Sequence, residues 1–368
     1  MINRVAVLTG GGDAPGLNGV IRGVVRAAEK VYQAEVYGFM DGFKGLINNE
    51  YMKLDHSNTS GILHRGGTIL GTSNRDNPFR YPAERDANGT LLFEDVSDRA
   101  VANLDKLGIQ VLIVIGGDGS LNIAHQFALK GVKVIGVPKT IDNDLDATDQ
   151  TFGFDTAVNT VMEALDRLHT TAESHHRIMV VEVMGRYAGW IALHAGMAGG
   201  ADVILIPEIP YDIECIRQKI EARRQGGKHF SIVTVAEGAI EKEGQQIVAA
   251  HIEDSTDPVR LGGVGAVVAA KLAEVTGLES RVTVLGHLQR GGSPMAFDRI
   301  LTTRLGVKAM EQAVHGPWDQ MIALRGTVVM AVPMVEAINK LKTVDPDSEI
   351  VQAAKAVGLC LGDELNDH

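Results

Sequence analysis

Short, largely apolar runs alternate along the chain with stretches of helical periodicity. Seven of these runs predict buried strands, at 5–8, 111–115, 132–137, 178–183, 203–206, 231–235 and 282–285. Apolar residues at helical spacing predict helices that begin near Asn18 and near Asp155, and Asp155 is the expected cap of the second helix. Continuous apolar strands that alternate with helices indicate an α/β fold whose mainly parallel sheets are covered on both faces.

Chain length and glycine content extend this interpretation. A chain of 368 residues is long enough for about two domains. Glycine accounts for 42 of these residues, well above the usual frequency of about 7%. Because no low-complexity tract occurs, the extra glycine is expected in ordered loops that turn sharply or approach a ligand closely.

Charge and cysteine content exclude several functions. The net charge of −11 argues against a nucleic-acid partner, which requires a positive surface. The two cysteines, Cys215 and Cys360, provide neither a disulfide framework nor a tetrahedral cysteine metal site, so a reducing, cytoplasmic location is expected. The longest uncharged apolar stretch, 187–201, is too short to cross a membrane, and no membrane partner is expected.

Two glycine-rich loops follow predicted strands, at the edge where parallel sheets bind ligands. Loop 10–16 precedes a helix and offers backbone N–H groups to an anion, although it matches neither the dinucleotide nor the P-loop fingerprint. Loop 116–120 places Asp118 among small residues, where its carboxylate would hold Mg²⁺ beside phosphate oxygens. The alternatives are a tight turn without a ligand for the first loop and a simple helix N-cap for Asp118.

A third loop, 140–144, carries two carboxylates that would point the same way in an extended segment, Asp142 and Asp144. One would act as a general base toward a hydroxyl group while the other tunes it or contacts Mg²⁺, and a polar turn is the alternative. Arginines near strand ends favour an anionic substrate, with surface ion pairs as the alternative. These arginines are Arg75, Arg177, Arg186, Arg281 and Arg290.

Together these segments resemble the 6-phosphofructokinase family. Five motifs follow the family's order and spacing, at 11–16, 116–120, 140–144, 184–186 and 286–292, and the likeness covers about residues 1–310. The resemblance implies transfer of a phosphoryl group to the 1-hydroxyl of fructose 6-phosphate. It also implies two Rossmann-like three-layer αβα domains with the active site in the cleft between them.

The resemblance assigns roles to individual residues. Asp142 would be the general base, with Thr140 and Asp144 in support, and Arg186 would steady the transferring phosphoryl group. The residues implied around the donor and its Mg²⁺, with the metal on Asp118, are Gly12, Arg75, Gly117, Asp118, Gly119 and Ser120. The residues implied around fructose 6-phosphate are Thr140, Asp142, Arg177, Met184, Gly185, Arg186, Glu237, Arg281, His287 and Arg290.

The resemblance further implies an oligomer with discontinuous domains. Arg177 and Arg281 would reach the sugar-phosphate site of a neighbouring subunit, which requires a homodimer or homotetramer. The domain that binds the donor nucleotide and magnesium would comprise residues 1–153 plus about 289–340, and the sugar-phosphate domain 154–288 plus the tail 341–368.

The identity of the donor depends on two positions. In this family, glycine at position 119 accompanies ATP, whereas aspartate there would occupy the α-phosphate site and accompanies pyrophosphate. Lys139 resembles the pyrophosphate-dependent and mixed branch, where a lysine can stabilise a pyrophosphate leaving group. A clash excludes ATP outright while an added lysine does not, so Gly119 favours ATP and Lys139 is the further catalytic candidate.

Two other classes of protein stay open as alternatives. NAD kinases and lipid kinases also use a Gly-Gly-Asp-Gly loop, but they do not share the motifs at 140–144, 184–186 and 286–292. A non-catalytic sensor of nucleotides or sugar phosphates would be expected to lack a catalytic carboxylate, yet Asp118, Asp142 and Asp144 are all present.

Overall fold

The structure is a computed structural model that describes residues 2–85, 91–251 and 259–364. Helices α1 to α11 are Leu17–Ala27, Phe43–Asn48, Ser97–Leu107, Asp118–Leu129, Phe154–His175, Trp190–Ala198, Ile213–Gln225, Val264–Thr276, Ala296–His315, Met334–Ile338 and Glu349–Ala356. Strands β1 to β15 are Arg4–Thr9, Glu35–Phe39, Tyr51–Leu54, Tyr81–Arg85, Leu91–Glu94, Val111–Gly116, Val134–Pro138, Ile178–Val183, Val203–Leu205, Ser231–Ala236, Val248–His251, Val259–Leu261, Ser280–Val284, Gln320–Arg325 and Val328–Pro333. Among the described residues, none of the helices is long and apolar enough to cross a membrane.

The larger sheet contains seven strands in the order β15-β14-β7-β6-β1-β2-β3. Its five inner strands are parallel, and β15 and β3 add antiparallel edges. Side chains alternate along β1, so that Val5 and Val7 share a core with α1 and α9, whereas Ala6 and Leu8 share a core with α3 and α4. Helices therefore cover both faces of this sheet.

The smaller sheet contains four parallel strands in the order β13-β8-β10-β9. Along β8, Val181 and Val183 share a core with α5 and α6, while Ile178 and Val180 share a core with α7 and α8. Each sheet is thus the middle layer of an αβα sandwich, which confirms the expected fold class.

The chain passes between the two sandwiches more than once. After the second sheet is complete, β14 and β15 return to the first sheet. Leu341 then forms a bridge with Leu145, and Cys360 forms a bridge with Val203 beside the second sheet. Val344 and Leu361 belong to the core of that second sandwich. The domain bounds stay a prediction, and this path is the observation that bears on them.

All seven predicted strands occur, with ends displaced by at most two residues. The strands that the pattern misses include β2 and β3, at one edge of the larger sheet. In both, buried and exposed positions are interspersed, as in Glu35–Phe39, where Glu35 and Tyr37 stay partly exposed. A search for continuous apolar runs finds fully buried inner strands and misses such edges.

The expected cap of α5 is wrong. The helix begins at Phe154, and its N-cap is Gly153 with φ 92°, so Asp155 lies inside the first turn. The carboxylate that serves this helix end is Asp298 on α9, which accepts hydrogen bonds from Gly153 N at 2.9 Å, Thr156 N at 2.9 Å and Thr156 Oγ1 at 2.6 Å. Since Asp298 lies far along the chain, the local pattern gives no signal of it.

We expect Asp298→Ala to destabilise the fold. Asp298 is 0% exposed, so its removal strands buried donors at the start of α5, at a cost of about 3 kcal/mol. The measurement is urea unfolding followed by circular dichroism. Asp166→Ala is the matched control, because Asp166 is exposed on the same helix α5 and its removal should change stability little. Equal stability of the two variants would contradict the capping role of Asp298.

Candidate active site

The two glycine-rich loops meet where the strand order of the larger sheet reverses. Strands β1 and β6 are neighbours, and Gly10 N donates to Ile115 O at 2.9 Å just beyond their carboxyl ends. A Cβ atom on Gly10 would lie 2.6 Å from Ser120 Oγ, and one on Gly116 would lie 2.7 Å from the same atom. Only glycine permits this contact, and the place is the one at which doubly wound sheets bind ligands.

A cavity of about 250 Å³ opens beside the second loop. Asp118 is the first residue of α4 and is exposed toward this space, and Gly119 follows it in the wall. Farther along the wall, the guanidinium of Arg80 stacks on the Phe93 ring at 3.7 Å. The remaining lining residues include Arg75, Asn77, Asn122, Gln126 and Ile338. The cavity wall therefore combines positive arginine charge with the negative charge of Asp118 near the loop, and it presents an aromatic surface farther from the loop.

Asp118 is the carboxylate that a metal ion at this place would require. Within residues 2–85, 91–251 and 259–364, no group of three or more His, Cys, Asp and Glu side chains could hold a metal ion by itself. Mg²⁺ is commonly held by one or two carboxylates together with substrate phosphates and waters. An exposed carboxylate at a helix N-terminus beside a cationic cavity fits that mode of binding.

The loop after β7 is not extended, contrary to expectation. Asn143 adopts φ 53°, in the left-handed region, and so turns the chain between Asp142 and Asp144. Asp142 N donates to Thr140 Oγ1 at 3.1 Å, and the Thr140 hydroxyl in turn hydrogen-bonds Asp144. The two carboxylates still interact, because the charge of Asp142 raises the pKa of Asp144. Thr140 thus links them within a single turn.

Asp142 has a carboxylate oxygen that lacks a hydrogen-bond donor among the residues described. Its Oδ1 is fully buried and has no hydrogen-bond partner in the described part of the chain. Burial raises the pKa of Asp142, and the nearby charges of Arg290 and Lys139 oppose that rise. Arg186 also acts to lower this pKa. The result is a shielded carboxylate oxygen that is surrounded by cations yet bonded to none.

Other titratable groups around Asp142 are also strongly perturbed. Burial raises the pKa of Asp144 to about 7, and Asp142 and Asp118 add to the effect. Burial raises the pKa of Glu237 to about 7, again with a contribution from Asp142. Lys139 is 4% exposed, and burial lowers the pKa of its ammonium group to about 8. Such opposed shifts in one cleft are typical of acid–base catalysis.

These groups come from both sheets. Arg186 follows β8 and Glu237 follows β10, while Lys139 and Asp142 follow β7. Arg290, from the 3-10 turn at Gly286–Arg290, donates through Nη1 to Asp13 O at 3.2 Å in the first loop of the other sandwich. The carboxyl ends of the two sheets therefore face each other across a common cleft.

Two glycines let the loops approach closely in that cleft. A Cβ atom on Gly12 would lie 2.9 Å from Arg290 Nη1. Gly185 has φ 132°, and Gly238 N donates to Gly185 O at 3.1 Å, which ties the loops after β8 and β10 together. Met184 N donates to Gln289 Oε1 at 3.2 Å, so the turn bearing His287 and Arg290 is held against the same loop. His287 itself is exposed on this turn.

Two predicted arginines lie elsewhere. Arg177 precedes β8 and Arg281 lies near the start of β13, at the opposite end of the second sheet from the cleft. Arg177 Nε forms an ion pair with Glu279 Oε2 at 2.5 Å, and Arg281 pairs with the same carboxylate. The structure therefore does not bring them into this chain's own cleft, and their role toward a neighbouring subunit stays a prediction.

Some residues of the site cannot be identified from sequence motifs. Arg80, Phe93 and Asn122 line the cavity but belong to no motif. Asn143 lies inside the third motif, yet its left-handed backbone was not anticipated. A signal for Asn143 does exist, because asparagine tolerates that region better than most residues. For the cavity wall, only the fold brings the residues together.

The cleft combines a carboxylate that has a buried, unbonded oxygen with surrounding cations and an adjoining cavity lined by arginines. These features define a phosphoryl-transfer enzyme of the doubly wound α/β class. The family model described as phosphofructokinase matches residues 4–313. The chain belongs to the phosphofructokinase family, and this confirms the resemblance inferred from the motifs.

Known proteins similar to this chain are named for two phosphoryl donors. The chain is 55% identical over 98% of its length to ATP-dependent 6-phosphofructokinase 2 of Clostridium perfringens, 99% of which is covered. It is 51% identical over 93% of its length to the pyrophosphate–fructose 6-phosphate 1-phosphotransferase of Streptomyces coelicolor, 96% of which is covered. It matches the phosphofructokinase structure from Saccharomyces cerevisiae with a TM-score of 0.78 and 32% identity, covering 92% of this chain and 45% of the yeast chain.

Proposed function

We propose that this chain transfers the terminal phosphoryl group of ATP to the 1-hydroxyl of D-fructose 6-phosphate, giving D-fructose 1,6-bisphosphate and ADP. This is the committed step of glycolysis. The observation that carries the proposal is the buried, unpartnered Oδ1 of Asp142 amid Lys139, Arg186 and Arg290. An acceptor hydroxyl would supply the missing hydrogen bond at that oxygen.

Asp142 acts as the general base. Its Oδ1 accepts the proton of the 1-hydroxyl as the bond from that oxygen to phosphorus forms and the bond from phosphorus to the leaving group breaks. Burial makes Asp142 a stronger base than an exposed aspartate, while the surrounding cations act in the opposite direction and favour its ionised form. Thr140 holds the turn, and Asp144 shares the negative charge of the pair.

Cationic groups neutralise the charge that spreads over the phosphoryl group in transfer. Arg186 and Lys139 face Asp142 and are placed to contact phosphoryl oxygens. Arg290 and His287 bind the 6-phosphate, and Glu237 contacts sugar hydroxyls with Met184 and Gly185 nearby. Because the pKa of Glu237 is raised to about 7, this side chain can donate as well as accept a hydrogen bond near neutral pH.

The donor binds along the glycine-rich loops and the adjoining cavity. Gly12, Gly117 and Ser120 form the phosphate cradle, Arg75 adds charge, and Asp118 would hold Mg²⁺. When bound, that ion neutralises phosphate charge and orients the donor. The Arg80–Phe93 surface lies in the same cavity as Asp118 and Gly119, where it would contact groups of a nucleotide beyond its phosphates.

Pyrophosphate is the alternative donor, and Lys139 is the observation that favours it. The Lys139 ammonium group is buried in the cleft, where it can stabilise a pyrophosphate leaving group. Against this, pyrophosphate would leave the cavity with its aromatic wall unfilled. Gly119 leaves the position free that an aspartate would occupy in the pyrophosphate-dependent branch. These two features favour ATP.

We also propose a homodimer or homotetramer in a cytoplasmic location. The strand β13 is an edge of its sheet and exposes Val282 and Val284, at 36% and 59%, and Leu288 beyond it is 68% exposed. An exposed apolar edge is a favourable surface for a second copy. Arg281 lies on this strand, and Arg177 pairs with the same Glu279, so both would reach a neighbour's fructose 6-phosphate. The free thiols Cys215 and Cys360 suit a reducing compartment.

Asp142→Asn should retain binding of both substrates and lower kcat by roughly 10²–10⁴-fold, the usual share of general-base catalysis. The raised pKa of Asp142 means that it gains a proton at a higher pH than an ordinary aspartate, so wild-type kcat should fall as the pH is lowered toward that value. The variant should lack this acid limb. Both quantities are measured at saturating substrate from pH 5 to 9. A variant with near wild-type kcat would remove Asp142 from the role of base.

Wild-type enzyme should form fructose 1,6-bisphosphate with ATP and not with pyrophosphate, assayed separately. Gly119→Asp should abolish turnover of ATP, because the aspartate carboxylate would occupy the α-phosphate site and repel the α-phosphate. Gly119→Ala is the matched control, since it adds bulk without charge to the same helical turn. Product from pyrophosphate with wild-type enzyme, lost in Lys139→Met, would instead favour the alternative donor.

Arg281→Ala should raise the KM for fructose 6-phosphate by roughly 10- to 100-fold through loss of a charged hydrogen bond. Co-expression with Asp142→Asn should then restore activity, because mixed oligomers contain one site with an intact base and an intact neighbouring arginine. Arg217→Ala, which removes an ion pair with Glu214 within helix α7, is the control. If mixing restores nothing, Arg281 does not act across subunits.

A further inference from the structure

A short segment after α10 connects the two halves of the cleft. Residues 341–344, called here the strap, run between the loop that carries Asp142 and the loop after β8 that carries Arg186. Leu341 forms a bridge with Leu145, and Lys342 N donates to Asp144 O at 2.8 Å. The strap belongs to none of the sequence motifs, and it lies about 200 residues beyond the loop that it contacts.

The Lys342 ammonium group makes its hydrogen bonds within that loop, and it also lies 5.9 Å from the centroid of the Trp190 ring. Its Nζ donates to Asn143 Oδ1 at 3.0 Å, to Thr148 O at 3.0 Å and to Asp149 O at 2.9 Å. An ammonium group has three donors, so each of them is used. The first of these acceptors is the side chain of the residue between Asp142 and Asp144.

Asn143 has to be held because its backbone is left-handed. Its φ is 53°, a region that an asparagine enters at some cost. The same Oδ1 also accepts from Thr151 N at 3.0 Å and Thr151 Oγ1 at 3.4 Å, so the amide is fixed both from within its own loop and by Lys342. Fixing Asn143 fixes the direction in which the neighbouring Asp142 carboxylate projects.

The other end of the strap is fastened to the second sandwich. Trp190 Nε1 donates to Lys342 O at 2.9 Å, and Val344 N donates to Glu208 Oε1 at 2.7 Å. The Glu208 carboxylate also accepts from Gly189 N at 3.0 Å, at the start of α6. Gly189 lies three residues after Arg186, so the strap sets the spacing between the Asp142 loop and the Arg186 loop.

The structure assigns to Lys342 the role of a positioning residue, which holds the Asp142 loop in its left-handed turn and ties it to the Arg186 loop. This inference rests on the proposed role of Asp142 as base. Lys342 does not touch the reacting groups and acts through Asn143 and through the backbone of 144–149. The charged groups that face it are Asp144, Asp146, Asp149 and the ring of His194.

Lys342→Met keeps the length of the side chain and removes its three hydrogen bonds. We expect kcat to fall by roughly 10- to 100-fold, the effect of displacing a catalytic group by about 1 Å, with little change in KM for either substrate. Lys340→Met is the control, because Lys340 is exposed two residues earlier. Activity is expressed per folded molecule, from circular dichroism, so that a loss of stability alone does not lower kcat.

A spectroscopic measurement tests the contact independently of activity. The chain has two tryptophans, so Trp318→Phe leaves Trp190 as the sole indole. In that background Lys342→Met should shift Trp190 emission to longer wavelength, because the loosened strap withdraws the backbone carbonyl of residue 342 from the indole N–H, which then bonds to water. If Lys342→Met does not fold, Trp190→Phe replaces it, since it removes one hydrogen bond of the strap and should lower kcat several-fold at unchanged KM.

The outcomes separate the two proposals. Lower kcat with shifted Trp190 emission supports the positioning role. Unchanged kcat in Lys342→Met, whether or not the emission shifts, overturns it, as does unchanged kcat in Trp190→Phe. A fall in stability alone, with normal kcat per folded molecule, also overturns it. Near wild-type kcat in Asp142→Asn would instead refute the proposed base and leave the emission result unaffected.

Discussion

The arrangement of charges in the cleft is governed by the free-energy cost of burying carboxylates away from water. Asp142, Asp144 and Glu237 are all shielded, and burial raises the pKa of each. Carboxylates this close repel one another in a medium of low dielectric constant. The buried carboxylates are stabilised because Lys139, Arg186 and Arg290 bring opposite charge from separate loops. The acids in turn favour the charged form of Lys139, because Asp118 and Asp144 act to raise its pKa against the effect of burial.

This mutual dependence explains why two sandwiches are needed. A single parallel sheet presents its loops along one edge, so acids and bases on neighbouring loops would stay largely open to water. Here the edge of a second sheet faces the first, and Arg290 spans the gap to Asp13 O. The two facing sheet edges both shield the carboxylates from water and supply the cations that balance their charge. In the proposed reaction, this arrangement would keep solvent away from the phosphoryl group in transfer.

The sequence predicts the parts of this structure that depend on local pattern. Inner strands such as Val111–Gly116 are found because both of their faces are buried, and the loops after them are found because glycine and aspartate cluster there. Asp142 and Asp118 carry a motif signal through their neighbours. Asp298 and Lys342 carry none, because each acts on a backbone segment more than a hundred residues away. The site geometry that local pattern misses is therefore supplied by long-range hydrogen bonds.

The path of the chain has a consequence for how the enzyme is made. Residues Val344, Val351 and Leu361 belong to the core of the second sandwich, whose first strand, β8, begins at Ile178. That core stays incomplete on the ribosome until residue 361 has been synthesised and has left the exit tunnel. The loops proposed to bind phosphates, within residues 10–16 and 116–120, are made much earlier. Helix α9 and strands β14 and β15 of the first sandwich are made late as well. Neither half of the cleft is therefore complete until most of the chain has been synthesised, so these early loops exist for much of translation without a finished sheet around them.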